Sequence, residues 1–220
     1  MKREVEPMMK PLACLAAVAL TAVVPRASVT QTEAAGSPAW GPSSNGLRLG
    51  ISAARAGPTE QPAFHVTFHN LGDSDYVLNL GYMFANGKVM FPAAVGLSLT
   101  DAGGTTRELE FLDRRYAAVA GRVDPFLVAL RHGSMYTLAL SLSQFWSSAT
   151  KEYELRLPAG NYRIGARFEG QAVQSANLDV QGLTLMNFWT GRLQSNVLEF
   201  DVHQPDVLAT HREQSHAGSH

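Results

Sequence analysis

LPAGNYRIGARFEG (residues 157–170) holds a strand end, a corner and the start of a second strand within a single short run. Leu157 closes one strand, Pro158, Ala159 and Gly160 turn the chain, and Tyr162 opens the next with Ile164, Ala166 and Phe168 on its own face. Proline presets φ and removes a donor, and glycine relaxes the backbone, so the trio reads as a turn. A tyrosine just past such a turn can send its hydroxyl back to a backbone group near the corner, the tyrosine corner of Greek-key sandwiches. Glu152 and Glu154 are expected across from Arg163 and Arg167 on the wet face, as cross-strand pairs of about 0.2–1 kcal/mol each.

Working outward, the same period of two recurs. LRLGIS sets Leu47, Leu49 and Ile51 against Arg48, Gly50 and Ser52; AFHVTFHN sets Phe64, Val66 and Phe68 against His65, Thr67 and His69. TLALSLS, EYELRL and VLEFDV repeat it with Leu138, Leu140 and Leu142, with Tyr153, Leu155 and Leu157, and with Leu198, Phe200 and Val202 inward. Alternation of this kind belongs to antiparallel sheets with one solvated face. NLGDSD, TDAGGTT and RHGS supply turns between the runs, and Asn86-Gly87 in YMFANGKVMF is a hairpin signal of the type I′ kind. The expectation is an all-β fold: an immunoglobulin-like antiparallel β-sandwich of nine or ten strands over residues 47–202, with Greek-key topology and extra strands and loops.

The chain has 220 residues, 45% hydrophobic and 17% charged, which is enough apolar sequence for a substantial core. A formal net charge of −1 supplies no field to attract nucleic acid. Residues 1–27 look like a signal peptide: Lys2, Arg3 and Lys10 precede the uncharged run PLACLAAVALTAVV at residues 11–24, which is shorter than the roughly 20 residues of a membrane-spanning helix. Initiation at Met8 or Met9 would give a cleaner basic segment, and cleavage belongs somewhere among Ala22, Ala27, Ala34 and Ala35. The expected location is periplasmic or extracellular, with no stable membrane span after processing. Cleavage near residue 28 removes four basic and two acidic groups, leaving the chain at −3, and removes the single cysteine, Cys14. Thiol catalysis, cysteine-bound zinc and disulfides are then excluded. Residues 28–46 read as a flexible leader with Trp40 as its anchor, and residues 203–220 as a disordered polar tail whose His211, His216 and His220 are poorly spaced for a metal.

FHVTFHNLGDSDYVLNL, LSLTDAGGTTRELEF, PFLVALRHGSMYTLALSLSQFW and LPAGNYRIGARF together resemble a group of exported bacterial immunoglobulin-like domains of unestablished function. The order of elements is also similar to the intracellular proteinase inhibitor family of Bacillus-type bacteria. The resemblance spans about residues 40–202. It implies a sandwich and, for the inhibitor family, protease inhibition by a sandwich loop.

Few residues suggest chemistry. His65 and His69 would lie about 13 Å apart on a strand, too far to share an ion. Asp73 and Asp75 start like a calcium loop but lack the later oxygen ligands, and Glu108 and Glu110 have the spacing of wet-face residues. Neither a G-x-S-x-G elbow, S-x-x-K, a phosphate loop, a dinucleotide fingerprint nor H-E-x-x-H occurs, so no catalytic residue, cofactor or metal is assigned and the chain is not expected to be an enzyme. Two connections stand out. Residues 171–192 carry Leu183, Leu185, Met186, Phe188 and Trp189, and form either an apolar plug over the open end of the sandwich or a binding loop. Residues 111–126 carry Arg114, Arg115, Tyr116 and Arg122, residue types enriched at interface hot spots, or else form a solvated connection. Leu185, Met186, Phe188, Trp189, Arg114, Arg115 and Tyr116 make up the candidate interaction surface. The function expected is a secreted or periplasmic non-catalytic module binding another macromolecule, with a protein as partner. The alternatives are a protease inhibitor and a carbohydrate-binding module using Trp146 or Trp189, although Phe145 and Trp146 also suit core closure.

Overall fold

A computed structural model describes residues 36–54, 61–112, 121–151, 155, 157–173 and 186–202. The expected signal peptide, most of the EYELRL strand and the C-terminal tail lie outside them. The described residues contain thirteen strands: β1 (Ala39–Trp40), β2 (Leu47–Ala53), β3 (Ala63–Asn70), β4 (Tyr76–Phe84), β5 (Val89–Phe91), β6 (Val95–Thr100), β7 (Thr106–Phe111), β8 (Asp124–Leu130), β9 (Met135–Ser141), β10 (Phe145–Trp146), β11 (Gly160–Gly170), β12 (Gly191–Gln194) and β13 (Leu198–Val202). A 3₁₀ turn, Leu142–Gln144, is the helical element among them.

The first sheet is ordered β1-β2-β3-β9. The second is ordered β10-β7-β6-β11-β12, with β13 also on β11. All these pairings are antiparallel. Phe68 of β3 meets Phe168 of β11 edge-on at 5.0 Å, and Phe64 meets Phe200 of β13 at 5.1 Å, so the two sheets pack face to face. Between them lie Leu47, Leu49, Ile51, Val66, Leu97, Leu99 and Ile164, all without solvent exposure. These are the inward positions of the alternation. After β3 the chain leaves the first sheet and returns as β9 beside it, with Val66 opposite Leu138. This return is the Greek-key crossover, and the architecture is the antiparallel sandwich expected. A smaller sheet, β5-β4-β8, is its addition. It is tied to the rest where Ala94 N–H donates to Leu80 O at 3.0 Å and Val77 bridges to Phe188.

The tyrosine corner is present: the Tyr162 hydroxyl donates to Pro158 O at 3.0 Å, and its buried ring stacks on Phe200 at 5.7 Å. The charge pairing expected beside it is different. Opposite Arg163 stand Thr100 of β6 and Glu199 of β13, and opposite Arg167 stand Gly96 and Gln194, so both edges of β11 are taken there. Arg167 Nε instead lies 3.1 Å from Glu108 Oε2 of β7. Glu152 and Glu154 lie outside the described residues.

Turns differ in detail. The Asn86-Gly87 hairpin joins β4 to β5 through four residues, because Phe84 pairs with Val89 and Ala85, Asn86 and Gly87 all take positive φ (51°, 57°, 80°). The two-residue turn of the expected kind is Asn45-Gly46, with φ of 46° and 74° and reciprocal Ser44–Leu47 backbone bonds of 2.8 and 2.9 Å. It belongs to the stretch that composition assigns to the leader. Trp40 anchors that stretch as expected: it pairs with Gly50, where a Cβ would stand 2.7 Å from its ring.

Candidate functional site

The connection ending in Trp189 enters the core. Trp189 is 1% exposed, stacks on Phe168 at 5.7 Å and donates its indole N–H to Asn45 O at 3.1 Å. Its ring lies over the paired glycines Gly170 and Gly191, where a Cβ would come within 2.5 and 3.0 Å. Flanking backbone bonds, Val77 N–H to Asn187 O at 2.9 Å and Trp189 N–H to Val77 O at 3.1 Å, sew the segment to β4 as an extra parallel partner. Trp189 is thus removed from the expected interaction surface, because a buried indole with its one donor satisfied is packing. The same burial removes Trp189 as a sugar platform. Phe188 is half-buried and Met186 is exposed. Leu185, Arg114, Arg115 and Tyr116 lie outside the described residues.

Met186 stands beside a cluster of structural turns. Asn70 is fully buried: its amide donates to Ser74 O at 2.8 Å and Leu130 O at 3.1 Å, and its carbonyl accepts from Gly72 N–H at 3.0 Å. Asp75 Oδ1 accepts from His132 N–H at 2.9 Å, and Asp75 O accepts from the Asn187 amide at 2.9 Å. NLGDSD and RHGS are therefore knotted together by turn chemistry. Among the described residues no cluster of three or more His, Cys, Asp or Glu is arranged for a metal.

His69 belongs to a different cluster, on the outer face of the first sheet. Arg48 lies over the Trp40 ring at 4.2 Å, and its guanidinium is 3.0 Å from His69 Nδ1. Burial first, then the Arg48 charge, lowers the His69 pKa from its ordinary 6.5. His65 is half-buried on the same face. Phe145 is in the core at 0% exposure, whereas Trp146 is half-buried.

A concavity lies elsewhere. A groove of about 980 Å³ runs between the small sheet and the second sheet, over Ala93–Gly96 of the chain leading into β6 and beside Arg167–Glu169 of β11. One rim is Val123–Pro125, where residues 111–126 end; the other includes Gln171–Val173 and Arg192, where residues 171–192 begin and end. Both connections singled out from the sequence therefore open onto this groove at their described ends, but through other residues than those expected.

Tyr82 lines the groove and is 51% exposed. Strict alternation on β4 would send it inward with Leu78 and Leu80, which are fully buried. A bulge between Asn79 and Gly81 inserts one residue, so Met83 packs against the core and Tyr82 turns out. Gly81 sits at φ 138° with the Phe91 carbonyl and the Ala93 amide where a Cβ would be, and its N–H donates to Asn79 Oδ1 at 3.3 Å. Sequence reasoning missed Tyr82. The available signal was a glycine inside a strand just before an aromatic residue.

The groove's charges are compensated within the protein. Arg192 lies 3.2 Å from Glu169, Arg167 pairs with Glu108, and Arg122 is 2.6 Å from Asp124. Glu110 accepts from the Ser148 hydroxyl at 3.3 Å. Comparison of the chain with known protein families and with curated proteins finds no match.

Proposed function

We propose that this chain is an exported, non-catalytic β-sandwich module that holds another macromolecule of the periplasm or extracellular space in the groove between its two connections. The observation that carries the reading is that the described ends of both connections, Val123–Pro125 and Gln171–Val173 with Arg192, line one groove between the small sheet and the second sheet. Binding residues tend to stand on connections that a rigid scaffold positions. The basic segment and short apolar run at the N-terminus support export, and no helix among the described residues is long and apolar enough to cross a membrane. The resemblance to exported bacterial immunoglobulin-like domains agrees with this reading.

The test is site-specific photocrosslinking in the envelope and medium of cells exporting the protein. Val123, 51% exposed on the groove rim, carries the probe; Met135, 57% exposed on β9, is the control. An adduct from residue 123 and none from residue 135 is expected. No adduct, or equal yields at both positions, contradicts the assignment. Inhibition of a secreted protease by the purified protein, undiminished by a bulky probe at residue 123, would favour an inhibitory loop instead.

A further inference from the structure

We infer that the ligand of this groove is a neutral oligosaccharide chain, stacked on Tyr82 and hydrogen-bonded by the amide and charged side chains that share the groove's lining. The inference rests on the groove being the binding site, and it names the class of ligand.

Charge comes first. Among the described lining residues the two cations, Arg167 and Arg192, are outnumbered by Glu110, Asp124 and Glu169, and each cation already stands beside a carboxylate. A phosphate or an acidic polymer would have to displace those carboxylates, so the field selects against anions. Backbone comes second. An added peptide strand needs a free row of N–H and C=O groups. The β11 stretch in the groove has β6 on one side and β12 on the other. The β4 stretch has β8 on one side, with β5 and the Ala94-to-Leu80 bond on the other. Neither of these offers an edge; β8 and β12, which also border the groove, each have one described strand partner, so a peptide strand added there is the competing outcome of the test.

Side chains are what the groove presents. Tyr82 supplies an exposed aromatic face, held outward by the Gly81 bulge, and its strand neighbours Pro125 and Phe91 flank it. Elsewhere on the same lining, the exposed amides Gln171 and Gln194 and the paired Arg192 and Glu169 offer planar donors and acceptors. Such groups match vicinal hydroxyls two at a time, and the aromatic face matches the C–H face of a pyranose. The volume, about 980 Å³, stands at the upper end of the roughly 300–1,000 Å³ of small-ligand sites and suits several linked sugar units. Tyr82 thus takes the platform role that sequence reasoning gave to Trp146 or Trp189.

Affinity electrophoresis tests this with protein purified from an exporting host, in gels containing dextran, laminarin, galactomannan or xylan as neutral probes and alginate as the anionic one. Retardation by at least one neutral polysaccharide is expected. Tyr82→Ala should weaken it at least tenfold at unchanged melting temperature, and Tyr82→Trp should retain it. Migration unchanged in all four neutral gels, retardation by alginate alone, or full retardation of Tyr82→Ala overturns the inference. A residue-123 crosslink to an envelope protein without retardation would overturn the glycan while leaving the groove as a binding site. Loss of both results would overturn both.

Discussion

Trp189 is the residue on which the end of the sandwich depends. Its ring fills the space above two paired glycines and its indole N–H is bonded to Asn45 O. Trp189→Ala leaves a cavity that glycine backbone cannot fill, and should lower unfolding free energy by about 3–5 kcal/mol in a urea titration. A loss below about 1 kcal/mol would mean that the ring is not core. Tyr162→Phe is a finer probe, because it keeps the ring on Phe200 and removes only the bond to Pro158 O. Its expected cost is about 1 kcal/mol by the same titration. The corner was legible because a turn, a tyrosine and an inward alternation coincide within one run. The burial of Trp189 was not: an apolar loop reads alike whether it plugs a core or meets a partner, and the distinction lies in Gly170 and Gly191, far apart in the run yet paired in the sheet.

At the scale of elements, inward faces followed from period two because each strand buries one side, and β2, β3 and β13 occupy nearly the spans their patterns give. The pattern fails where one residue is added or where a turn's partner is distant in sequence. The β4 bulge reverses the side to which Tyr82 points, and the Asn45-Gly46 turn hides in a Ser-, Gly- and Pro-rich stretch. The first sheet also carries a pH dependence. His69 on β3 faces Arg48 of β2, lies 5.7 Å from the Trp40 ring of β1 and stands opposite Met135 of β9. Its folded pKa is below the ordinary 6.5, so the unfolded chain binds the proton more readily. The neutral ring's contribution is complete above 6.5 and declines as pH falls through the folded pKa. Urea midpoints taken from neutral to mildly acidic pH should therefore fall less in His69→Gln than in the wild type. Equal slopes would exclude His69 as the source.

For the whole molecule, the single cysteine at position 14 leaves residues 28–220 without a disulfide, so the two-sheet core supplies the stability there. Between the second sheet and the small sheet lies the groove, bordered by the described ends of two connections that the sequence marks by length and residue type and that strand order brings together. Hydrogen exchange, followed by mass spectrometry with and without the material captured through residue 123, tests the groove assignment most directly. Protection should rise in peptides covering residues 79–84, 122–126 and 167–173 and stay unchanged across β2, β3 and β9. Protection gained on those three strands, with the groove peptides unaltered, would contradict it.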